Sequence, residues 1–528
     1  MGIIQKKGVK MSLVMGIDSS TQSIKAVIID VNSREIICSE AVNFAQELGA
    51  KYNSPEAVIQ HNNPLVKHSN PLMWLEGLDI LLLRLKEKSV PLNKIKAISG
   101  CGQQHGSVYL NANFEKKISS LDTNKQLHEN IAPLLSRKTS PIWMDSSTSA
   151  QCKILSEKIG KEKIRQKTGS APTERFTGPQ IMKFYQEEPE NYEKTKIIHL
   201  VSSFMASVFA GKSAPIDYGD GAGMNMMDLE TLDWDEKICN TIAPGLKSKL
   251  PSLVKTTTVL GYINPYFYKY NFSPDTKIVA WTGDNPASLV GTGAALASTA
   301  VISLGTSDTF FSSMQKPYTD PDGCGHVFGN PVEGYMSLIC FKNGSLAREK
   351  IKNDFNVDWD YFGNDAFRNT IPGSGSDNLL LPHFVPEITP LRLNPIVKYS
   401  GSEDFILGKT NKDVVIRAIV ESQILAMRLH SLWIGQNFKT IKITGGGSRS
   451  PGICQTVADI FSADVESIAI PDSAALGSAL IAAAATGIES FPNLILTFTK
   501  PIKIFKANLN NKAIYDRMLE KYKILENS

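Results

Sequence analysis

Residues 14–27 read VMGIDSSTQSIKAV. An apolar run from Val14 to Asp18 and a second from Ile24 to Asp30 flank the polar turn Ser19-Ser20-Thr21-Gln22, the pattern of a β-hairpin. The same layout returns at 300–313, AVISLGTSDTFFSS, as an apolar strand, a short Ser/Thr/Gly turn and another strand. A repeat whose second copy starts past the midpoint of a 528-residue chain points to a duplicated domain. Each copy is expected to aim its hairpin turn at one shared cleft, where two turns could clasp a polyphosphate. The length argues the same way, because it exceeds what one hydrophobic core usually organises.

Between and beyond the hairpins the chain alternates strands and helices. A helix is expected from Pro71, its first-turn proline, through Leu72, Leu75, Leu78 and Leu82. The strand Ile95–Ser99 then runs into Gly102-Gln103-Gln104-His105-Gly106, a glycine-rich loop at a strand end. Residues 110–140 mix Asn, Lys, Ser and Asp without clear period and read as an insertion or surface excursion. Lys277–Trp281 reads as a buried strand ending in Thr282-Gly283-Asp284-Asn285-Pro286, and the small residues through Ala297 suggest a helix and a lobe boundary. Asp413 opens a helix whose Ile416, Val420, Ile424 and Met427 form one apolar face, with Arg417, Glu421 and Arg428 placed elsewhere on its surface. Thr440–Thr444 alternates as a strand, Gly445-Gly446-Gly447 turns the chain, and Ile453, Val457, Ile460 and Phe461 mark the next helix.

Composition removes several classes of function. With 42% hydrophobic and 20% charged residues the chain matches an ordinary globular protein. The formal net charge of +4 is small, and the basic residues are scattered among acidic ones, so no nucleic-acid partner is expected. Seven cysteines without a C-x-x-C pair read as thiols in a reducing cytoplasm rather than as disulfides or zinc ligands. The longest small-apolar run, Ala479–Ala485, falls well short of the roughly 20 residues a membrane span requires. The first ten residues carry Lys6, Lys7 and Lys10 but no apolar stretch of a signal peptide, and Met11 could serve as an alternative start. Lys6 also stands where a myristoylation motif beginning at Gly2 wants Ser or Thr.

Four clusters carry the residue types that phosphoryl transfer needs: positioned phosphate donors, an acid for a metal ion, and a base for the acceptor hydroxyl. Asp18, at the end of a buried strand, can hold hydrated Mg²⁺, which usually takes only one or two carboxylates. It can equally order its own turn through a local hydrogen bond. Asp284 could accept a proton in a cleft, with Asn285 donating beside it, or be a solvated acid in an Asn-Pro turn. The glycines at 445–447, followed by Ser448 and a helix start, leave backbone open to a phosphate or adenine, as a plain strand-to-helix turn also does. Gln103-Gln104-His105 and Glu174-Arg175-Phe176 supply polar groups able to reject an analogue lacking a hydroxyl. No Walker A pattern, G-x-S-x-G elbow or metal-ligand spacing is present.

Taken in order, GIDSSTQSIK, GQQHG, ERFTG, TGDNPASL, SLGTSDT and TGGGS resemble the FGGY carbohydrate kinases. WMDSST at 143–148, APIDYGDGAGMN at 214–225 and CFKNGSLAREKI at 340–351 are similar to the eukaryotic xylulokinase branch of that family. The resemblance implies an α/β, two-lobed actin-like ATPase (ribonuclease H-like) fold, shared with hexokinase: a duplicated domain with a central catalytic cleft. It implies an N-terminal sugar-binding domain at 11–293, a C-terminal nucleotide-binding domain at 298–490 and a C-terminal extension at 491–528. It implies ATP and Mg²⁺ as cofactors, D-xylulose as the sugar, transfer of the γ-phosphate to its O5, no membrane partner, and a monomer or homodimer in the cytoplasm. By the same resemblance Asp284 is the catalytic base and contacts sugar together with His105, Arg175 and Asn285. Asp18 lies at the Mg²⁺ site, and Asp18, Thr21, Thr306, Trp359, Gly445, Gly446, Gly447 and Ser450 serve the nucleotide.

Overall fold

The computed structural model describes residues 11–528. The N-terminal lysines and the Gly2 and Lys6 reading lie outside the described residues. The chain divides into two compact units and does not do so by one cut. The first unit runs to Gly291 and also takes Phe328–Tyr335 and Pro471–Phe498; the second takes Thr292–Val327, Met336–Ile470 and Thr499–Ser528. The chain first crosses from one unit to the other between Gly291 and Thr292.

The first unit is built on a seven-stranded sheet. Its strands are β1 (Leu13–Ser19), β2 (Ser23–Asp30), β3 (Glu35–Asn43), β4 (Ile95–Gly102), β5 (Val259–Tyr262), β6 (Lys277–Val279) and β7 (Thr282–Gly283). The order is β5-β6-β4-β1-β2-β3, with β7 also pairing β4. All seven residues of β1 are buried, as befits a central strand covered on both faces. β1 and β2 form the expected hairpin, Asp18 opposite Lys25, and β4 runs parallel to β1 with Cys101 beside Asp18.

Helix Ser473–Ala485, made almost wholly of small residues, lies close against β1 and against helix Asp284–Gly291. A Cβ on Gly16 would stand 2.0 Å from the Ala475 carbonyl oxygen, and one on Gly477 would stand 1.9 Å from that of Ala287. The strand that carries Asp18 and the helix that begins at Asp284 are therefore packed backbone to backbone on one helix. Bare Cα atoms make this approach possible.

Residues 110–140 are no surface excursion. Phe114, Ile118, Leu121, Leu127, Ile131 and Leu134 are buried in the core of the first unit. The Leu127 N–H donates to Asp79 of helix Pro71–Glu87 at 2.7 Å. Their apolar residues are spread over several helices of three to five residues, too short to show a period in sequence.

The second unit repeats the plan with β8 (Thr299–Leu304), β9 (Asp308–Met314), β10 (His326–Gly329), β11 (Tyr335–Phe341), β12 (Thr440–Gly445), β13 (Asp464–Ser467) and β14 (Lys503–Phe505). The sheet order is β10-β11-β9-β8-β12-β13-β14. β8 and β9 form the second hairpin, Leu304 opposite Asp308, and β12 runs parallel to β8 with Gly445 beside Leu304.

Helix Lys412–His430 corrects one expectation. Arg417 and Glu421 are buried, not placed on the surface. The cover is helix Lys512–Asn527, whose Tyr515 hydroxyl donates to Glu421 Oε1 at 2.8 Å while Arg417 Nη1 donates to the same oxygen at 3.2 Å. Beyond residue 491 the chain supplies that helix and edge strand β14 to the second unit. Among the described residues no helix is long and apolar enough to cross a membrane.

Candidate active site

In the first unit, the ends of β1, β4 and β7 and the start of helix Asp284–Gly291 bring Asp18, the GQQHG loop, Asp284 and Asn285 together. Gly102 of β4 pairs with both Ser19 and Gly283, so the loop leaves the sheet between the two strands that carry the acids. Asp18 is almost fully buried. The Ser20 hydroxyl donates to its Oδ2, and the Cys101 thiol contacts its Oδ1 at 3.4 Å. Burial pushes the Asp18 carboxyl up, against the pull of Ser20, Cys101 and Lys25. Lys25, its cross-strand neighbour, is itself paired with Asp472 at 2.9 Å.

Asp284 is half-buried at the first residue of its helix. Removal from water and the nearby charge of Asp18 raise its carboxyl to about 7, offset in part by backbone N–H donors at Asn285 and Gln104. That value lets one group take and release a proton at neutral pH. Asn285 Nδ2 donates to Gln104 Oε1 at 2.7 Å and to Asp284 Oδ1 at 3.1 Å, which ties the acid to the GQQHG loop.

His105 adopts a positive φ of 70° and is almost fully buried. Its Nδ1 lies 2.8 Å from the Gly223 carbonyl oxygen, which can only accept, so Nδ1 carries the proton and Nε2 is left as an acceptor. Burial and the charge of Arg175 hold this imidazole neutral, its pKa lowered to about 3. The ring stacks on Phe176 at 4.2 Å, and the Thr177 hydroxyl donates to the His105 carbonyl at 3.0 Å. The GQQHG and ERFTG segments, far apart in sequence, thus form one wall that carries Arg175.

The Thr21 side chain is bonded within the first unit. Its hydroxyl donates to Gln103 Oε1 at 2.9 Å and accepts from Trp143 Nε1 at 2.8 Å. Its single proton is committed inside the protein. Trp143, 44% exposed, is a residue that sequence reasoning did not assign to the site. Only the WMDSST match marked it, and that match says nothing of where the ring lies.

The nucleotide residues expected in the second unit share one end of its sheet. Thr306 is exposed in the hairpin turn that follows β8, and the glycine loop leaves β12 beside it. The three glycines differ. Gly445 has a positive φ of 85°, and a Cβ there would stand 2.3 Å from the Leu304 carbonyl oxygen. A Cβ on Gly447 would stand 2.7 Å from the Leu304 side chain, whereas one on Gly446 meets nothing. The outer glycines fit the strand, and only Gly446 leaves its space to something else. Ser450 caps helix Pro451–Phe461, accepting from the Ile453 N–H at 3.2 Å and donating to the Gly363 carbonyl at 2.7 Å. Its hydroxyl is occupied, and its contribution lies in holding the loop to the turn Tyr361–Asp365. Trp359, beside that turn, is 49% exposed and packs edge-on against Phe362.

The buried acids fit a hydrated divalent cation better than a stripped one. Among the described residues no group of three or more His, Cys, Asp or Glu could hold a metal. Asp18, with only a hydroxyl and a thiol bound to it and a second carboxyl nearby, suits Mg²⁺, which keeps most of its waters.

Two domain signatures match this chain. The N-terminal domain of the FGGY family of carbohydrate kinases matches residues 13–291 and the C-terminal domain matches residues 300–486. The chain belongs to the FGGY family of carbohydrate kinases. It is 39% identical to the xylulose kinase of Rattus norvegicus over 524 residues, covering 97% of this chain and 96% of that one. A gluconate kinase and a ligand-bound xylulose kinase, both from Lactobacillus acidophilus, each superpose with a TM-score of 0.80 at 19% identity, covering 98% of both chains. Two kinases named for different sugars match the fold equally well, so fold alone does not choose the sugar.

Proposed function

We propose that this chain transfers the γ-phosphate of ATP to O5 of D-xylulose, giving D-xylulose 5-phosphate and ADP. Asp284 carries the reading: a half-buried carboxyl balanced near neutrality, fixed to Asn285 and flanked by the wall of His105 and Arg175. In this account Asp284 takes the proton of the sugar's terminal hydroxyl as O5 attacks phosphorus. His105 Nε2 accepts from a sugar hydroxyl, while Arg175 and Asn285 donate to sugar oxygens. Groups buried to meet hydroxyls penalise a sugar that lacks them, because they would be left unpaired.

In the second unit, the N–H groups around Gly446 and the Thr306 turn are the donors for ATP, with Trp359 beside the base. Asp18 holds Mg²⁺, which when bound offsets the negative charge of the phosphates. The choice of xylulose follows the relatives' names and the GQQHG and ERFTG segments. Seven free cysteines suit a reducing cytoplasm.

A coupled assay of ADP release over xylulose, ribulose, glycerol and gluconate tests the proposal. The highest kcat/KM is expected on D-xylulose. A higher value on any other member of the panel overturns the substrate, and ADP release without dependence on any sugar overturns the kinase assignment.

A further inference from the structure

Asp217 and Asp220 are both fully buried in the DYGDG segment, yet they are treated differently. Asp217 caps the short helix Tyr218–Gly221 and accepts from the N–H groups of Gly219 and Asp220 and from the Thr256 hydroxyl. Asp220 receives one bond, from the Ser202 hydroxyl to Oδ2, and its Oδ1 has no partner. An acceptor left so in the interior is unfavourable unless a donor reaches it.

A donor in the same condition lies close by. Gln104 Oε1 accepts from Asn285, which fixes the amide's orientation and turns Nε2 away, and that nitrogen is buried without a partner. Both atoms border the bare Cα of Gly283, the residue before Asp284. A Cβ on Gly283 would stand 2.8 Å from Gln104 Nε2 and 2.9 Å from Asp220 Oδ1, so any other residue there would wedge them apart.

We propose that Asp220 is a positioning residue of the transfer site: its Oδ1 accepts from Gln104 Nε2 across Gly283 and thereby holds the Gln104–Asn285 pair that orients Asp284. Catalytic hydrogen bonds commonly tighten when substrate binds, which is when this one forms. Burial and the charge of Asp217 keep the Asp220 carboxyl well above the usual carboxylate range. With the Ser202 hydroxyl donating to Oδ2, Oδ1 is left as the acceptor Gln104 needs. The inference rests on the kinase reading and concerns how its base is aimed.

The experiment measures kcat and KM for Asp220→Ala, Asp220→Leu, Asp220→Asn, Gln104→Ala and the Asp220→Ala/Gln104→Ala double variant, on whichever sugar the wild-type protein phosphorylates fastest. Losing the bond misaims the base, for which a fall in kcat of roughly 10- to 100-fold is expected in Asp220→Ala, with KM for ATP nearly unchanged. Asparagine can accept with Oδ1 and donate to Ser202, so Asp220→Asn regains most of that loss. The double variant is no slower than Gln104→Ala, because Asp220 acts only through Gln104. Leucine fills the aspartate's space without an acceptor and serves if the alanine variant does not fold. Wild-type kcat in either the alanine or the leucine variant overturns the proposal, as does a loss that asparagine leaves in place or losses that add in the double variant. The two readings fail separately: wild-type turnover decides the kinase assignment, and the variants' ratio to it decides Asp220.

Discussion

At the end of β1, Asp18 pairs across its hairpin with Lys25 and lies beside Cys101 of β4. At the end of β8, Leu304 pairs with Asp308 and lies beside Gly445 of β12. The two hairpins repeat one plan, an antiparallel pair with a parallel third strand, and they spend their acids differently. Asp18 meets a hydroxyl and a thiol. Asp308 meets Arg348 in a fully buried two-pronged pair, at 2.7 and 2.9 Å, and Arg348 donates further to Gln423 and Ser345. The duplicated strand ends carry different residues, Asp18 in the first hairpin and Leu304 in the second, and the second hairpin's acid starts the facing strand, where Arg348 makes it a brace.

The largest expected effect tests the chemical half of this comparison. Asp284→Ala should lower kcat by roughly 10²- to 10⁴-fold, the usual worth of a general base, while calorimetry still detects sugar binding. Unchanged turnover would remove Asp284 from the reaction. The acid limb carries a sign. A base raised to about 7 is protonated and idle at lower pH, so kcat/KM should fall as pH drops through that value, and Asp284→Asn should abolish the limb.

The braced half predicts instability instead of lost chemistry. Arg348→Met leaves Asp308 buried without its cation and should cost about 3–5 kcal/mol in urea unfolding. The double variant Arg348→Met/Asp308→Asn should regain part of that. A loss below about 1 kcal/mol, the range of exposed pairs, would mean that this pair braces nothing.

The glycine loop sharpens the contrast on a smaller scale. Gly445→Ala combines a positive φ with a close carbonyl and should cost about 1–3 kcal/mol. Gly446→Ala meets no atom and should change stability by no more than about 0.5 kcal/mol, yet raise KM for ATP several-fold. If Gly446→Ala leaves KM for ATP unchanged, the loop has no part in holding nucleotide.

Much of this could be read before folding. Both hairpins, the strand into GQQHG and the helix after the triple glycine declare themselves through alternation and turn residues, which act over a few positions. Asp18, His105 and Asp284 stood out because each lies at or just past the end of a strand. Trp143 and Asp220 did not, since one gains its meaning from Thr21 and the other from Gly283, contacts that no local pattern encodes. Arg417 and Glu421 looked like surface residues until the helix Lys512–Asn527 covered them, and residues 110–140 looked like an excursion because their buried side chains sit in very short helices.

The order of residues determined the strands, the turns and the family, because periodicity, glycine and short-range hydrogen bonding are properties of neighbours along the chain. Tertiary structure alone decided which carboxyl is braced and which is left to react, which of three glycines is open, and that helix Ser473–Ala485 underlies both acids of the first unit. Those outcomes depend on burial and on backbone approaching within contact distance, and both arise only when segments hundreds of residues apart pack together.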